Sequence, residues 1–248
     1  MIEPYLAIII GGAIVAGFVQ GLCGFAFSLV SLSIWAWAVD PQVAAPMAVF
    51  GSLVGQVVAL PLTWRGTELK RLAPFVIGGV IGVPLGIFLL GILEPAGFKL
   101  ALGLFLVVYS PAMLFVPTSW ALRWGGRWAD GAIGWLGGIF GGIGGMAGGI
   151  PTLWCTLRGW DKHAQRAVFQ TFHTSMHTLT LTAYFFSGLL TAPTGQMFLV
   201  AAPAMLVPSL IGARLYHRVS DRAFRRFVLI LLLISGALLL MRAVPRLV

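Results

Sequence analysis

Acidic residues are almost missing from this 248-residue chain: there are seven, and Glu3, Asp40, Glu68, Glu94, Asp130, Asp161 and Asp221 all sit near the ends of apolar runs or in loops. With no carboxylate well inside an apolar run, carboxylate-driven proton pumping or a carboxylate-built sodium site is disfavoured. Charged residues of both signs make up 9% against 59% hydrophobic ones, and mean hydropathy is +0.96. A soluble domain could not hide that much apolar surface, so the chain reads as an integral membrane protein. The two cysteines, Cys23 and Cys155, lie in apolar segments without CxxC spacing, which gives a disulfide or a metal site little support. There is no HExxH or GxSxG, and Ser28, Ser31 and Ser33 have no histidine near them in sequence; a membrane enzyme is disfavoured. A haem bundle needs axial ligands on facing helices, whereas His173 and His177 share one helix and His163 and His217 lie near loops. Residues 1–11 contain no Lys or Arg, so they lack the basic start of a secretory signal and are expected to be retained as the first span.

What the chain does have is 32 glycines, some of them in a pattern that occurs twice. AGFVQGLCGFA at 16–26 and GGIFGGIGGMA at 137–147 align Gly17, Gly21, Gly24 and Ala26 with Gly138, Gly142, Gly145 and Ala147, each 121 positions on, and Asp40 and Asp161 keep that offset. A second match, at an offset of 126, pairs Gly86 with Gly212 and Phe98 with Phe224. Apolar runs at about 5–38, 42–63, 72–93, 98–117, 131–157, 164–190, 194–213 and 224–243 form two sets of four. The first run of each set is too long for one crossing, since 34 residues of helix would measure about 51 Å against a hydrocarbon core of about 30 Å. If the glycines break each long run into a pair of half-helices that enter and return on the same face, the second repeat is inverted relative to the first. That topology gathers thirteen of the 16 Lys and Arg on one side and leaves Lys99, Arg242 and Arg246 on the other. The rich side is assigned to the cytoplasm and both termini to the outside. Two full, tilted crossings would give the same topology.

The expected fold class is therefore all-α: a polytopic membrane protein of two inverted repeats, each with a glycine-broken hairpin and about three further transmembrane helices. Residues 1–117 form the first repeat, 118–130 an interfacial linker and 131–248 the second. In the linker, Trp120, Trp124 and Trp128 recur every fourth residue beside Arg123 and Arg127, which suits a short helix in the headgroup layer or an ordinary aromatic belt. The net charge of +9 is carried by short loops rather than one face, which favours membrane orientation over nucleic acid as its cause.

Paired broken membrane helices mark the binding site of a transporter. A half-helix ending inside the membrane exposes amides without helical partners, and glycine lets an anion approach them. Those turns are expected at Gly21 to Phe25, and at Gly144, Gly145, Met146 and Ala147, with Gln20, Cys23 and Gly24 alongside. Close helix packing is the competing role for Gly17, Gly21, Gly138 and Gly142. The run 165–186 is the most polar, and helical spacing lines up Arg166, Gln170, His173, His177 and Tyr184 on one stripe. His173 and His177 are candidate donors to an anion, with a proton-linked role open to imidazole, or else interior histidines satisfied by Thr and backbone groups. The repeat maps Gln56 onto His177 and Ser52 onto His173. No metal or cofactor is expected.

The paired glycine motifs, LRGWDKHAQRAVFQTF at 157–172 and GARLYHRVSDRAFRRFVLILLLISGALLL at 212–240 together resemble the sulfite exporter TauE/SafE family, also described as 4-toluene sulfonate uptake permeases, over essentially the whole chain. The resemblance implies a bacterial-type inner-membrane transporter of sulfite, sulfonates, sulfoacetate, thiosulfate or related anions. The first motif departs from the glycine-richer GxGGG of many members at Leu22, Cys23, Phe25, Ala26 and Phe27, which bears on the substrate rather than the fold. The expected mechanism is alternating-access export driven by the membrane potential, with a small carboxylate or other non-sulfur anion as the alternative substrate and a homodimer left open.

Overall fold

A computed structural model describes residues 3–24, 26–59, 69–116, 122, 124–160, 162–215 and 221–246. Among them are ten α-helices and no strand: α1 (Glu3–Cys23), α2 (Phe27–Trp35), α3 (Pro41–Ala59), α4 (Leu69–Ile92), α5 (Pro95–Phe115), α6 (Gly126–Gly144), α7 (Gly149–Leu157), α8 (Lys162–Phe186), α9 (Ala192–Leu215) and α10 (Asp221–Ala243). Five of them, α1, α4, α5, α9 and α10, are long and apolar enough to cross a membrane, which makes this a multi-pass membrane protein. Side chains such as Ile77, Phe88, Val108, Leu199 and Phe227 point outward, as a lipid-facing surface requires. α6 begins at Gly126 and so takes up the end of the expected linker; Trp120 and Arg123 lie outside the described residues.

Both long runs break at the glycine motifs. Gly24 and Gly145 adopt φ of +75° and +72°, a left-handed conformation that glycine reaches without a Cβ penalty. Ala26 joins them at φ +93°, which is uncommon for a residue with a side chain. The pieces are unequal, however. α1 and α6 have 21 and 19 residues, about 31 and 28 Å, while α2 and α7 have nine each, about 14 Å. The expected pairs of half-helices are thus a full-length helix followed by a half-length one, because α1 and α6 start ahead of the apolar runs, at Glu3 and Gly126, while α2 and α7 restart only at Phe27 and Gly149, past the left-handed glycines.

Each short helix folds back along the long one, and a tryptophan pins it there. Trp35 Nε1 donates to the Ile8 and Ile9 carbonyls at 3.2 and 3.3 Å. Trp154 Nε1 donates to the buried Asp130 carboxylate at 2.7 Å, and Asp130 is the counterpart of Ile9 at the 121-residue offset. Outside the second hairpin, Arg158 lies over Trp154 and Trp160, and Arg71 lies over Trp160 at 5.2 Å. Trp154→Phe would leave a carboxylate buried without its donor, a loss of about 1–3 kcal/mol. A lower melting temperature in detergent is expected for that variant.

The halves pack by exchanging equivalent contacts. α1 lies against α9 as α6 lies against α4, while α5 pairs with α10 and α3 with α8. The glycines show the same relation at atomic level. A Cβ on Gly138 would meet the Gly79 backbone, and one on Gly17 the Met205 backbone; Gly142 faces the Val83 carbonyl, and Gly21 the Ser209 carbonyl. These pairs are related by the offsets of 121 and 126. Gly86 in turn rests on Ile139 and Gly142, as Gly212 rests on Phe18 and Gly21. Close backbone approach of this kind is how membrane helices associate without a hydrophobic driving force. Gly86→Val and Gly212→Val are therefore expected to destabilise by similar amounts, about 1–3 kcal/mol. Thermal unfolding of the two variants side by side measures that equality.

Candidate functional site

The two breaks meet near the centre of the helix packing. A Cβ on Gly145 would touch Ser28 Oγ at 2.6 Å and Val49 Cγ2 at 3.0 Å, which places the turn between α6 and α7 against α2 and α3. Between them lies a cavity of about 20 Å³, lined at one end by Ala26, Ser28 and Leu29 from the start of α2 and at the other by Gly145, Met146, Gly148 and Gly149 from the start of α7. Gln20 of α1, Ser52 and Gln56 of α3, and His173 and His177 of α8 complete the wall. That volume holds about one or two waters. A second cavity shares Ala26 and Leu29 with the first and is lined also by Tyr109, Arg225, Val228, Leu229 and Leu232.

The polar groups form a connected network. Gln170 Nε2 donates to Gln56 Oε1, and Gln56 Nε2 reaches the Gly24 carbonyl at 3.4 Å and His173 Nδ1 at 3.3 Å. Because an amide nitrogen only donates, His173 Nδ1 is an acceptor, and its proton sits on Nε2, which faces the Gly148 backbone. His177 lies with Nε2 2.9 Å from the Gly145 carbonyl and Nδ1 2.7 Å from the His173 carbonyl. Gln56 to Gly24 and His177 to Gly145 are the same contact in the two halves, 121 residues apart. Each left-handed glycine thus has its carbonyl gripped from the polar helix of its own half. Ser28 Oγ bonds the Ala48 carbonyl at 3.1 Å and Ser52 Oγ at 2.5 Å. Gln20 Oε1 accepts the Phe27 amide at 3.0 Å, which caps α2. Gln20 Nε2, in a side chain only 2% exposed, has no hydrogen-bond partner.

The expected site residues divide accordingly. Gln20, Gln56, Gly145, Met146, His173 and His177 line the cavity; Gly24 and Gln170 hold its network from behind. Gly21 and Gly144 do not reach it. The short helices begin at Phe27 and Gly149 rather than within 21–25 and 144–147; Gly21 packs on α9, and Gly144 on Leu32. Ala147 lies over Gly141 and Gly137. The Cys23 side chain, Phe25 and the Arg166 side chain lie outside the described residues. Sequence reasoning passed over Ser28, Gly148 and Gly149 as cavity residues. The glycine pair at 148–149, just past the second motif, was the available signal for the last two.

An all-helical membrane protein with two broken spans and a polar cavity between them belongs to the transporter class of architecture. The sequence model of the family described as sulfite exporter TauE/SafE matches residues 9–239. The chain therefore belongs to that family, which is a family of membrane transporters of sulfur-containing anions such as sulfite and not of enzymes. No curated protein and no solved structure matches it.

Proposed function

We propose that this chain exports small sulfur-containing anions of the sulfite, sulfonate, sulfoacetate or thiosulfate type by alternating access, holding the anion in the cavity between the starts of α2 and α7. The observation that carries the reading is Gln20 Nε2, a buried donor without a partner on the wall of a cavity that two helix starts also face. A buried N–H without an acceptor costs about 1–3 kcal/mol, and an anion oxygen supplies the acceptor. The two helix starts add partial positive charge without a fixed cation. The second cavity, which shares Ala26 and Leu29 with the first, adds Arg225 on its wall as a group that attracts anions. The matching contacts of the two halves support an inverted repeat with the site at its centre, in a bacterial-type inner membrane with both termini outside. An interior-negative potential favours outward movement of an anion by about 2.3 kcal/mol per charge at 100 mV.

The test is efflux from proteoliposomes at clamped potential across sulfite, thiosulfate, sulfoacetate, taurine, sulfate and small carboxylates. Saturable movement of one or more of the sulfur anions is expected, and a flat response to all of them removes the reading. Gln20→Glu keeps the oxygen that caps Phe27 but replaces the free donor with an acceptor. Its KM for sulfite is expected to rise by about tenfold or more, equivalent to about 1.4 kcal/mol, and its melting temperature to fall, because the new carboxylate is buried without a partner.

A further inference from the structure

The two halves grip their left-handed glycines with different chemistry, and the difference is a proton. Gln56 in the first half is an amide that cannot titrate. His177 in the second half is an imidazole with two nitrogens, and both lie at hydrogen-bond distance from carbonyl oxygens, those of Gly145 and His173. A carbonyl only accepts, and a neutral imidazole has one N–H. The neutral ring therefore satisfies one of these contacts and sets a lone pair against an oxygen in the other; the imidazolium satisfies both.

We infer that His177 is a proton-binding site and that the anion is transported together with one proton held there. This rests on the proposed function, since it assigns the co-substrate of the same site. Among the described residues lining the cavity, the only other titratable group is His173, on the same helix, and it is held neutral at Nδ1 by the Gln56 amide. α1 contributes Gln20, α2 Ser28 and Leu29, α3 Ser52 and Gln56, and the α6–α7 turn Gly145, Met146, Gly148 and Gly149, none of them charged or titratable near neutrality. Among the described residues lining the two cavities, the one cation is Arg225, on the wall of the second. Among the described residues lining this chamber, an entering anion meets no fixed countercharge, and burying an unpaired charge is costly. A proton on His177 supplies the countercharge at the cavity wall. It also tightens the hold on the Gly145 carbonyl, so the second break is set when anion and proton are both bound. One proton per anion lowers the charge moved by one, and a divalent anion still carries one net negative charge outward.

The test compares wild type with His177→Gln, which restores to the second half the residue its counterpart position uses and keeps a donor for the Gly145 carbonyl. Proton uptake on sulfite binding is measured with a pH dye in weakly buffered detergent solution, and proton movement per sulfite in proteoliposomes. Because both proteins share the solution chemistry of sulfite, the difference between them reports the site: wild type is expected to take up one more proton per sulfite than the variant. In ¹⁵N spectra, the histidine signal lost in H177Q should report two N–H groups when sulfite is bound. Equal proton counts in the two proteins, or a single N–H on that ring with sulfite bound, overturns the inference. If wild type neither binds nor moves sulfite or the other sulfur anions while its His177 still carries two N–H groups, the substrate reading fails and the proton site stands.

Discussion

Gly148→Ala is expected to cut anion flux by at least about tenfold while leaving the backbone at that position relaxed. Gly148 has φ of −89° and ψ of −16°, a conformation open to alanine. A Cβ there would nevertheless run into the His173 imidazole. The ring cannot simply turn away, because Gln56 fixes its Nδ1 and the side chain is buried at 3% exposure. One methyl group thus displaces His173 into a cavity that holds only about one or two waters. Flux in proteoliposomes and a melting curve separate the two consequences. The double variant Gly148→Ala with His173→Ala should recover the stability lost in the single one, since the collision is gone, without recovering full flux. Recovery of both would remove His173 from the site.

Gly145→Val is expected to abolish transport and also to destabilise the fold. Its backbone is left-handed at φ +72°, a region that a β-branched side chain adopts only with strain. Its Cβ would press on Ser28 Oγ at 2.6 Å and Val49 Cγ2 at 3.0 Å. Strain of this kind costs of order 1–3 kcal/mol, and overpacking a similar amount. Gly145→Ala should show a milder version of both losses. Unchanged flux in the valine variant would mean that the second break has no part in transport, and the site between the breaks would fall with it. The contrast with Gly148 separates two uses of glycine: one supplies a backbone conformation, the other leaves room for a ring.

Much of the architecture was legible in the residues because membrane composition and glycine conformation are local properties. The eight apolar runs correspond to the ten helices once the two long ones are broken, and the breaks fall at the repeated motif because Gly24 and Gly145 are where the chain can turn left-handed. The offsets of 121 and 126 in sequence reappear as matched contacts, Gly142 on Val83 and Gly21 on Ser209 among them. The unequal lengths of the paired helices were not legible. Where a helix restarts after a break depends on capping, and the cap of α2 is Gln20 Oε1, seven residues before the amide it accepts. The position of Gly144 was equally hidden, and Gly21 stayed open between packing and site, since a packing glycine and a site glycine look alike until the facing helix is known.

Composition and periodicity alone determined that this chain lives in a bilayer, that it is helical, and that its two longest apolar runs are interrupted by glycine. These follow from apolar run length and from the absence of a Cβ, which act within one turn of chain. Only the tertiary structure decided which polar groups meet. Gln20, Gln56, His173 and His177 come from three helices and are brought to one cavity because α3 packs on both α8 and α1, within a bundle where α1 pairs with α9 and α6 with α4. That exchange of partners depends on surfaces far apart in sequence, and no local pattern encodes it. Whether His177 faces one carbonyl or two is a matter of a few ångströms between elements 32 residues apart, and that distance is set by packing.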